Sequence, residues 1–306
     1  MFHCTFRMRL HPLRVHMEGS GFRSVRPFPA PLPHQGVCYD MSRLAKGDAT
    51  SAAHPLANPP EPAQVVTMTP FVASEVKALF FDVFGTLVDW RGSIAREAEA
   101  VLEPLGHRAD WPAFADAWRG EYQPAMEEVR AGRIPFSKLD VLHRRNLERV
   151  LPRFGMADLP EEVKSHLNRA WHRLDAWPDV PRGLHLLKRR FLLAPVSNGN
   201  ISLMVDLARR NGLPWDAILG AEIAGDYKPK PRVYLAAAEA FDLPPGACVM
   251  VAAHTNDLIH AAACGLRTAH VARPNEHGAG RGEAEPGRPM DLAVSGLPEL
   301  ADLLGG

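Results

Sequence analysis

Three short apolar runs each end in side chains suited to nucleophilic or acid–base chemistry. Lys77-Ala78-Leu79-Phe80-Phe81 ends at Asp82-Val83-Phe84-Gly85-Thr86. Phe191-Leu192-Leu193-Ala194-Pro195-Val196 ends at Ser197-Asn198-Gly199, and Ala247-Cys248-Val249-Met250-Val251-Ala252 ends at Ala253-His254-Thr255-Asn256-Asp257. A carboxylate at the end of a buried strand is costly unless it is paired or used. By position alone Asp82 reads equally well as the cap of a strand-to-loop turn. Its neighbours favour a nucleophile: Gly85 permits a tight turn, and Thr86 brings a hydroxyl and a backbone N–H close to the carboxylate.

The elements between these clusters set where they meet. Each apolar run has the length and composition of a strand buried on both faces. Shorter strands are expected at Ala217–Leu219, Thr268–Val271 and Leu292–Val294. Ile201–Asn211, Pro231–Phe241 and Asp257–Cys264 carry apolar residues at helical spacing, and Gly212 and Gly265 follow two of them as C-terminal stops. Strand alternating with helix predicts an α/β fold with a doubly wound parallel sheet. Ligands of such sheets bind beyond the carboxyl ends of the strands, where all three polar clusters fall. Between residues 91 and 177 the pattern is helical without a strand candidate: Phe114, Trp118, Tyr122, Met126 and Val129 recur at helical spacing, as do Leu139, Leu142, Leu147, Val150 and Leu151. This predicts a helical insert after the first strand, placed to act as a lid. The Gly/Pro-rich stretch Pro274–Met290 reads as a surface loop.

The bulk composition narrows the class. The 306 residues carry 35 basic and 35 acidic side chains, so the formal net charge is zero. No footprint for nucleic acid or an anionic membrane results. No run reaches the roughly 18 apolar residues of a membrane span. The four cysteines, Cys4, Cys38, Cys248 and Cys264, form no CxxC pair; a reduced cytoplasmic compartment is expected rather than a disulfide or zinc framework. The first seventy residues are rich in Arg, His and Pro, with no sustained apolar period. Residues 1–75 are read as a disordered extension, with a transit peptide or an early start codon as alternatives. Met41 and Met68 are candidate starts, and folded structure is expected from about Val76.

Taken in order, Phe81-Asp82-Val83-Phe84-Gly85-Thr86-Leu87-Val88-Asp89, Ser197-Asn198-Gly199, Lys228-Pro229 with Val233-Tyr234, and Asp257 resemble the four motifs of the haloacid dehalogenase superfamily, over about Val76 to Ala301. One motif would be weak; four in order on expected strand ends are specific. The resemblance implies a Rossmann-like core (76–90 and 178–306) with an α-helical cap (91–177). It is similar in form to the L-2-haloacid dehalogenases. That likeness implies Asp82 as nucleophile, Asp257 as the base that activates water, and Lys228 holding the two carboxylates together. Thr86 and Ser197 would position Asp82 or the substrate carboxylate. Arg119 and Asn198 would bind the departing halide, with Tyr234, His254 and Phe84 also contacting substrate or halide. It implies a small 2-haloacid and water as the partners, no cofactor, and a homodimer as an assembly common in the family.

Within the superfamily, the phosphatase branch carries a second aspartate two residues after the nucleophile, as general acid, and an acidic magnesium ligand at the start of the fourth motif. Those positions are Phe84 and Ala253, which favours carbon–halogen over phosphoryl chemistry. A magnesium-dependent phosphatase, or another hydrolase of the same fold, remains the alternative reading, and a non-catalytic member the third. Several residues keep a structural reading as well: Arg119 as a solvent-facing helix arginine, Tyr234 as a core tyrosine, His172 as a lid residue. His254 stands where the best-known dehalogenases have asparagine. Its ring either activates water or contacts halide, or merely hydrogen-bonds the loop.

Overall fold

A computed structural model describes residues 71–305. The readings of a disordered extension, a transit peptide and the starts at Met41 and Met68 fall on residues 1–70 and lie outside the described residues. Residues 71–75, also assigned to the extension, carry a 3-10 turn at Ala73–Glu75, and Phe71 and Ala73 pack against the core.

The strands are β1 (Ala78–Phe81), β2 (Val88–Asp89), β3 (Asp175–Ala176), β4 (Leu192–Ser197), β5 (Leu219–Gly220), β6 (Cys248–Ala252), β7 (Arg267–Val271) and β8 (Leu292–Val294). The helices are α1 (Trp90–Leu102), α2 (Trp111–Gly120), α3 (Tyr122–Arg130), α4 (Leu139–Val150), α5 (Glu161–Asn168), α6 (Val180–Leu187), α7 (Ile201–Asn211), α8 (Ala221–Ala224), α9 (Pro231–Glu239), α10 (Thr255–Ala263) and α11 (Leu297–Leu303).

Six strands form a sheet in the order β5-β4-β1-β6-β7-β8, and every pairing in it is parallel. Alternate residues serve opposite faces. Leu79, Phe81, Val249 and Val251 join one buried cluster, while Ala78, Phe80, Met250 and Ala252 join the other. A parallel sheet covered on both faces needs apolar residues at consecutive positions, which is why these strands read as continuous runs rather than alternating ones. β1 is central, between β4 and β6, with Phe81 opposite Pro195 and Val251. The chain therefore leaves the three strands at nearly one level, and Asp82, Asn198 and His254 emerge together.

The helical stretch after β1 packs largely on itself, α1 against α2, α2 and α3 against α4, and α4 against α5. One feature there differs from expectation. β2 and β3 form a two-stranded antiparallel ribbon, Val88 opposite Ala176 and Asp89 opposite Asp175, at the point where the helical stretch leaves and rejoins the sheet. A two-residue strand has too short a pattern to register as alternation. The smaller boundary differences are of one or two residues: α9 stops at Glu239, α10 starts at Thr255, and β5 is Leu219–Gly220. Gly212, at φ 65°, ends α7 as expected.

Candidate active site

The loop after β1 is tied down before any function is considered. Trp177 Nε1 donates to Gly85 O at 2.9 Å, and Arg273 Nε donates to Thr86 O at 2.8 Å. Gly85 has φ 86°, and a Cβ there would lie 2.0 Å from Glu276 Oε1. The left-handed backbone favours glycine, and any side chain there would displace the Glu276 carboxylate.

Asp82 is buried and both its oxygens are held. Lys228 Nζ donates to Oδ1 at 2.8 Å. Thr86 Oγ1 donates to Oδ2 at 2.9 Å, and His254 Nδ1 lies 3.1 Å from the same oxygen. The direction of the Thr86 bond follows from its other partner: Ala253 N–H donates to Thr86 Oγ1 at 2.9 Å, so the hydroxyl proton is left to face Asp82. Lys228 Nζ also donates to Asp257 Oδ2 at 2.6 Å. One ammonium thus joins two carboxylates that would otherwise repel. Burial would push the Asp82 carboxyl up, but Lys228 and His254 outweigh it and hold the group far below the usual carboxylate range. Burial likewise opposes the charge on Lys228, and Asp257 and Asp82 overcome it, so its pKa is raised.

His254 is the centre of an unexpected relay. Its Nε2 lies 2.9 Å from Glu276 Oε2, and Glu276 Oε1 accepts from Trp90 Nε1 at 2.9 Å. Burial disfavours the imidazolium, but hydrogen bonds to Asp82 and Glu276 prevail and push the ring pKa up to about 10. At neutral pH both ring nitrogens then donate. Because the folded pKa lies above the ordinary 6.5, the stabilisation is complete below that value and is lost as pH rises toward 10. The native protein should therefore lose a few kcal/mol relative to a His254→Gln variant across that window. Urea unfolding at the two ends of the window tests this, and parallel curves for both proteins would refute it.

Arg119, at the end of α2, does not face solvent as a plain surface arginine would. Its guanidinium carbon lies 3.9 Å from the Tyr122 ring centroid, 5.4 Å from Trp90 and 5.7 Å from Phe84. Stacking of this kind suits the planar, weakly hydrated guanidinium. Its buried Nη1 has no hydrogen-bond partner among the described residues. A buried charged donor without an acceptor is costly, and an anion is the group that would satisfy it.

Asp82, Phe84, Arg119, Asn198, Lys228 and His254 are among the residues that line one cavity of about 890 Å³. Asp257 and Glu276 line it too. Three expected site residues stand back from it. Tyr234 is buried, and its hydroxyl donates to Asp257 Oδ1 at 2.6 Å, which makes it a support for Asp257 rather than a substrate contact. Ser197 Oγ accepts from Gly199 N–H at 3.1 Å and shapes the turn that presents Asn198. Thr86 is fully buried and acts through Asp82. Asn198 Oδ1 accepts from Lys228 N–H at 2.9 Å, which fixes the lysine loop to the end of β4. His172 bridges Asp140 and Asp206 as a structural residue.

Sequence reasoning missed Glu276, Trp90 and Tyr122. Tyr122 was visible only as part of an apolar helical stripe. Glu276 lay in the stretch read as surface loop. That stretch is irregular as expected, yet it delivers a side chain only 2% exposed to the site. Its Glu283 also caps α10, accepting from Thr255 N at 2.9 Å.

An ionised carboxylate facing a cavity, with a second carboxylate beside it and an unsatisfied cation in the same wall, is equipped for hydrolysis through nucleophilic attack. The class agrees: the chain belongs to the haloacid dehalogenase-like hydrolases, whose family model matches residues 76–265. Among curated relatives, (S)-2-haloacid dehalogenase 1 of Pseudomonas sp. (strain CBS-3) is 28% identical over 233 residues, 75% of this chain and 96% of that protein. Phosphoglycolate phosphatase of Neisseria meningitidis serogroup A is 28% identical over 232 residues, 75% of this chain and 94% of its own length. Among solved structures, the defluorinating L-2-haloacid dehalogenase Rha0230 is 40% identical, with a TM-score of 0.75 over 78% of this chain and all of that one. The L-2-haloacid dehalogenase PA0810 is 45% identical, with a TM-score of 0.72 over 75% of this chain and 99% of that one.

Proposed function

We propose that the protein hydrolyses short L-2-haloacids to D-2-hydroxy acids through an ester on Asp82. The observation that carries this reading is the pairing in one cavity of a carboxylate held ionised with Arg119, whose buried Nη1 lacks a partner. Asp82 attacks the carbon bearing the halogen, from the side opposite the halide. Arg119 and Asn198 stabilise the departing anion, with the aromatic rings around Arg119 keeping water away. Water then attacks the ester carbonyl carbon, with Asp257 taking its proton. Tyr234 and Lys228 hold Asp257 for that role.

Phosphoryl chemistry fits these residues less well. Magnesium favours six oxygen ligands near an octahedron. Around Asp82, Phe84 and Ala253 offer no side-chain oxygen, and both carboxylate oxygens already accept from Lys228, Thr86 and His254. Among the described residues no group of three or more His, Cys, Asp or Glu side chains is arranged to hold a metal ion.

In this reading residues 91–177 act as a cap over the core formed by 76–90 and 178–306. Arg130 of α3 donates to Lys228 O at 2.7 Å and ties the two together at the mouth of the site. A 2-haloacid and water are the partners the chemistry needs. A homodimer and cytoplasmic residence complete the proposal. The free thiols of Cys248 and Cys264 accord with a reducing compartment, and no helix among the described residues is long and apolar enough to cross a membrane.

Chloride release from each enantiomer of 2-chloropropionate, with and without a chelator, tests the reading. Release from the L enantiomer alone, undiminished by chelator, is expected. No chloride from either enantiomer, together with magnesium-dependent phosphate release from phosphoglycolate, would replace it with the phosphatase alternative.

A further inference from the structure

The geometry points to His254, held by Glu276, as an oxyanion donor in the hydrolysis of the aspartyl ester, with Thr86 as the second donor. This rests on the ester mechanism proposed above and assigns its second half. The two oxygens of Asp82 are not equivalent. Oδ2 accepts two hydrogen bonds, from Thr86 Oγ1 at 2.9 Å and His254 Nδ1 at 3.1 Å. Oδ1 accepts from Lys228 alone, at 2.8 Å. A carboxylate oxygen has two lone pairs in its plane, so Oδ1 keeps one for attack while Oδ2 is fully engaged. Attack through Oδ1 makes it the ester oxygen and leaves Oδ2 as the carbonyl oxygen.

Both donors at Oδ2 are preorganised by other groups. Ala253 N–H occupies the Thr86 oxygen and directs its proton toward Oδ2. Glu276 fixes the far nitrogen of His254 at 2.9 Å and is itself fixed by Trp90. When water attacks the ester carbonyl carbon, its proton passes to Asp257 and the Cγ–Oδ2 double bond opens. The negative charge forms on Oδ2, between Thr86 and the His254 imidazolium. As the charge returns, the Cγ–Oδ1 bond breaks and Oδ1 leaves as the hydroxyl oxygen of the product. Lys228, in contact with both Oδ1 and Asp257, passes the proton held by Asp257 to it; the water oxygen remains on Asp82, and its second proton is released to solvent, which restores the ionised carboxylate. Donors fixed where charge will develop act most strongly in a site shielded from water. Glu276 does not touch the reacting atoms; it is a positioning residue that keeps the imidazole oriented and charged.

Rapid-quench chloride measurement and intact-protein mass on the full chain test this, using L-2-chloropropionate. Wild-type protein is expected to turn over without accumulating an adduct. His254→Gln is expected to release about one chloride per active site, gain the mass of the 1-carboxyethyl group on Asp82, and hydrolyse that ester about 10²–10³-fold more slowly. The burst also shows that the variant is folded. Glu276→Gln removes the charge and leaves one amide oxygen, which can accept from Trp90 or from His254 but not from both. Its ester hydrolysis should fail at a lower pH than in the wild type, while its alkylation rate changes little. The charged and titratable groups around His254 in that titration are Asp82 and Glu276, which bond it, Lys228, Asp257, His277 and Glu283, which line the same cavity, and His270, which interacts with it electrostatically. Loss of alkylation in proportion to ester hydrolysis, or ester hydrolysis at the wild-type rate in both variants, would overturn the assignment. Absence of both chloride and adduct with the wild type would instead sink the proposed reaction, and this assignment with it.

Discussion

Asp82→Asn should lower chloride release from L-2-chloropropionate by on the order of 10⁴–10⁶-fold, the loss typical when a covalent nucleophile is removed. The amide is nearly the same size, so the loop held by Trp177 and Arg273 keeps its shape. Its oxygen is a far weaker nucleophile than a carboxylate kept ionised by Lys228 and His254. A second consequence is electrostatic. His254 loses one of the two anions that raise it, so its ring should titrate at lower pH in the variant, as NMR of the imidazole protons would show. A catalytically intact Asp82→Asn protein would place the nucleophile elsewhere. An inactive variant with an unchanged His254 titration would break the link drawn between the two groups.

Arg119 carries the other large effect. Arg119→Lys retains a positive charge but not the planar fork or its stacking on Tyr122, 3.9 Å away. The ammonium is compact and strongly hydrated, and the space among Phe84, Trp90 and Tyr122 is aromatic. We expect kcat for the chloro substrate to fall about 10²–10³-fold. Inhibition by added chloride should weaken in parallel, because the same donor serves substrate and product anion. If Arg119→Lys lowered kcat and left chloride inhibition untouched, Arg119 would be acting on something other than the halide. Arg119→Ala should be worse than lysine on both counts.

The two variants draw on different parts of what the sequence offers. Asp82 was legible because its evidence is local: an apolar run, then a carboxylate, a glycine and a threonine within five residues. The same holds for Asn198 and for the stretch His254–Asp257, each at the end of its own run. A parallel sheet makes such runs adjacent whatever lies between them, so the meeting of the three clusters followed from fold class. Lys228, with no strand of its own, was legible only through the motif it shares with the family.

Other assignments needed the chain in three dimensions. Tyr234 was expected to contact substrate and instead supports Asp257 from behind. Ser197 was expected to position a carboxylate, and instead it lies buried behind the cavity with its oxygen accepting from Gly199 N–H in the turn. Side-chain direction at a strand or helix end depends on which neighbours compete for the hydroxyl, and periodicity does not encode that. His254 stood open between a chemical and a loop-bonding role; its contacts at 3.1 Å to Asp82 and 2.9 Å to Glu276 place it against the Asp82 carboxylate. Glu276 reaches Trp90 across 186 residues of chain, from a stretch whose composition says only that it is irregular. The sequence by itself determined the sheet, the order of its strand ends and the carboxylate that waits at the central one, because burial and turn formation act over a few residues at a time. The tertiary structure alone decided which oxygen of Asp82 keeps a lone pair and which has both engaged. That choice is made by hydrogen bonds from Lys228, Thr86 and His254, which belong to three separate segments and meet only when the chain is folded.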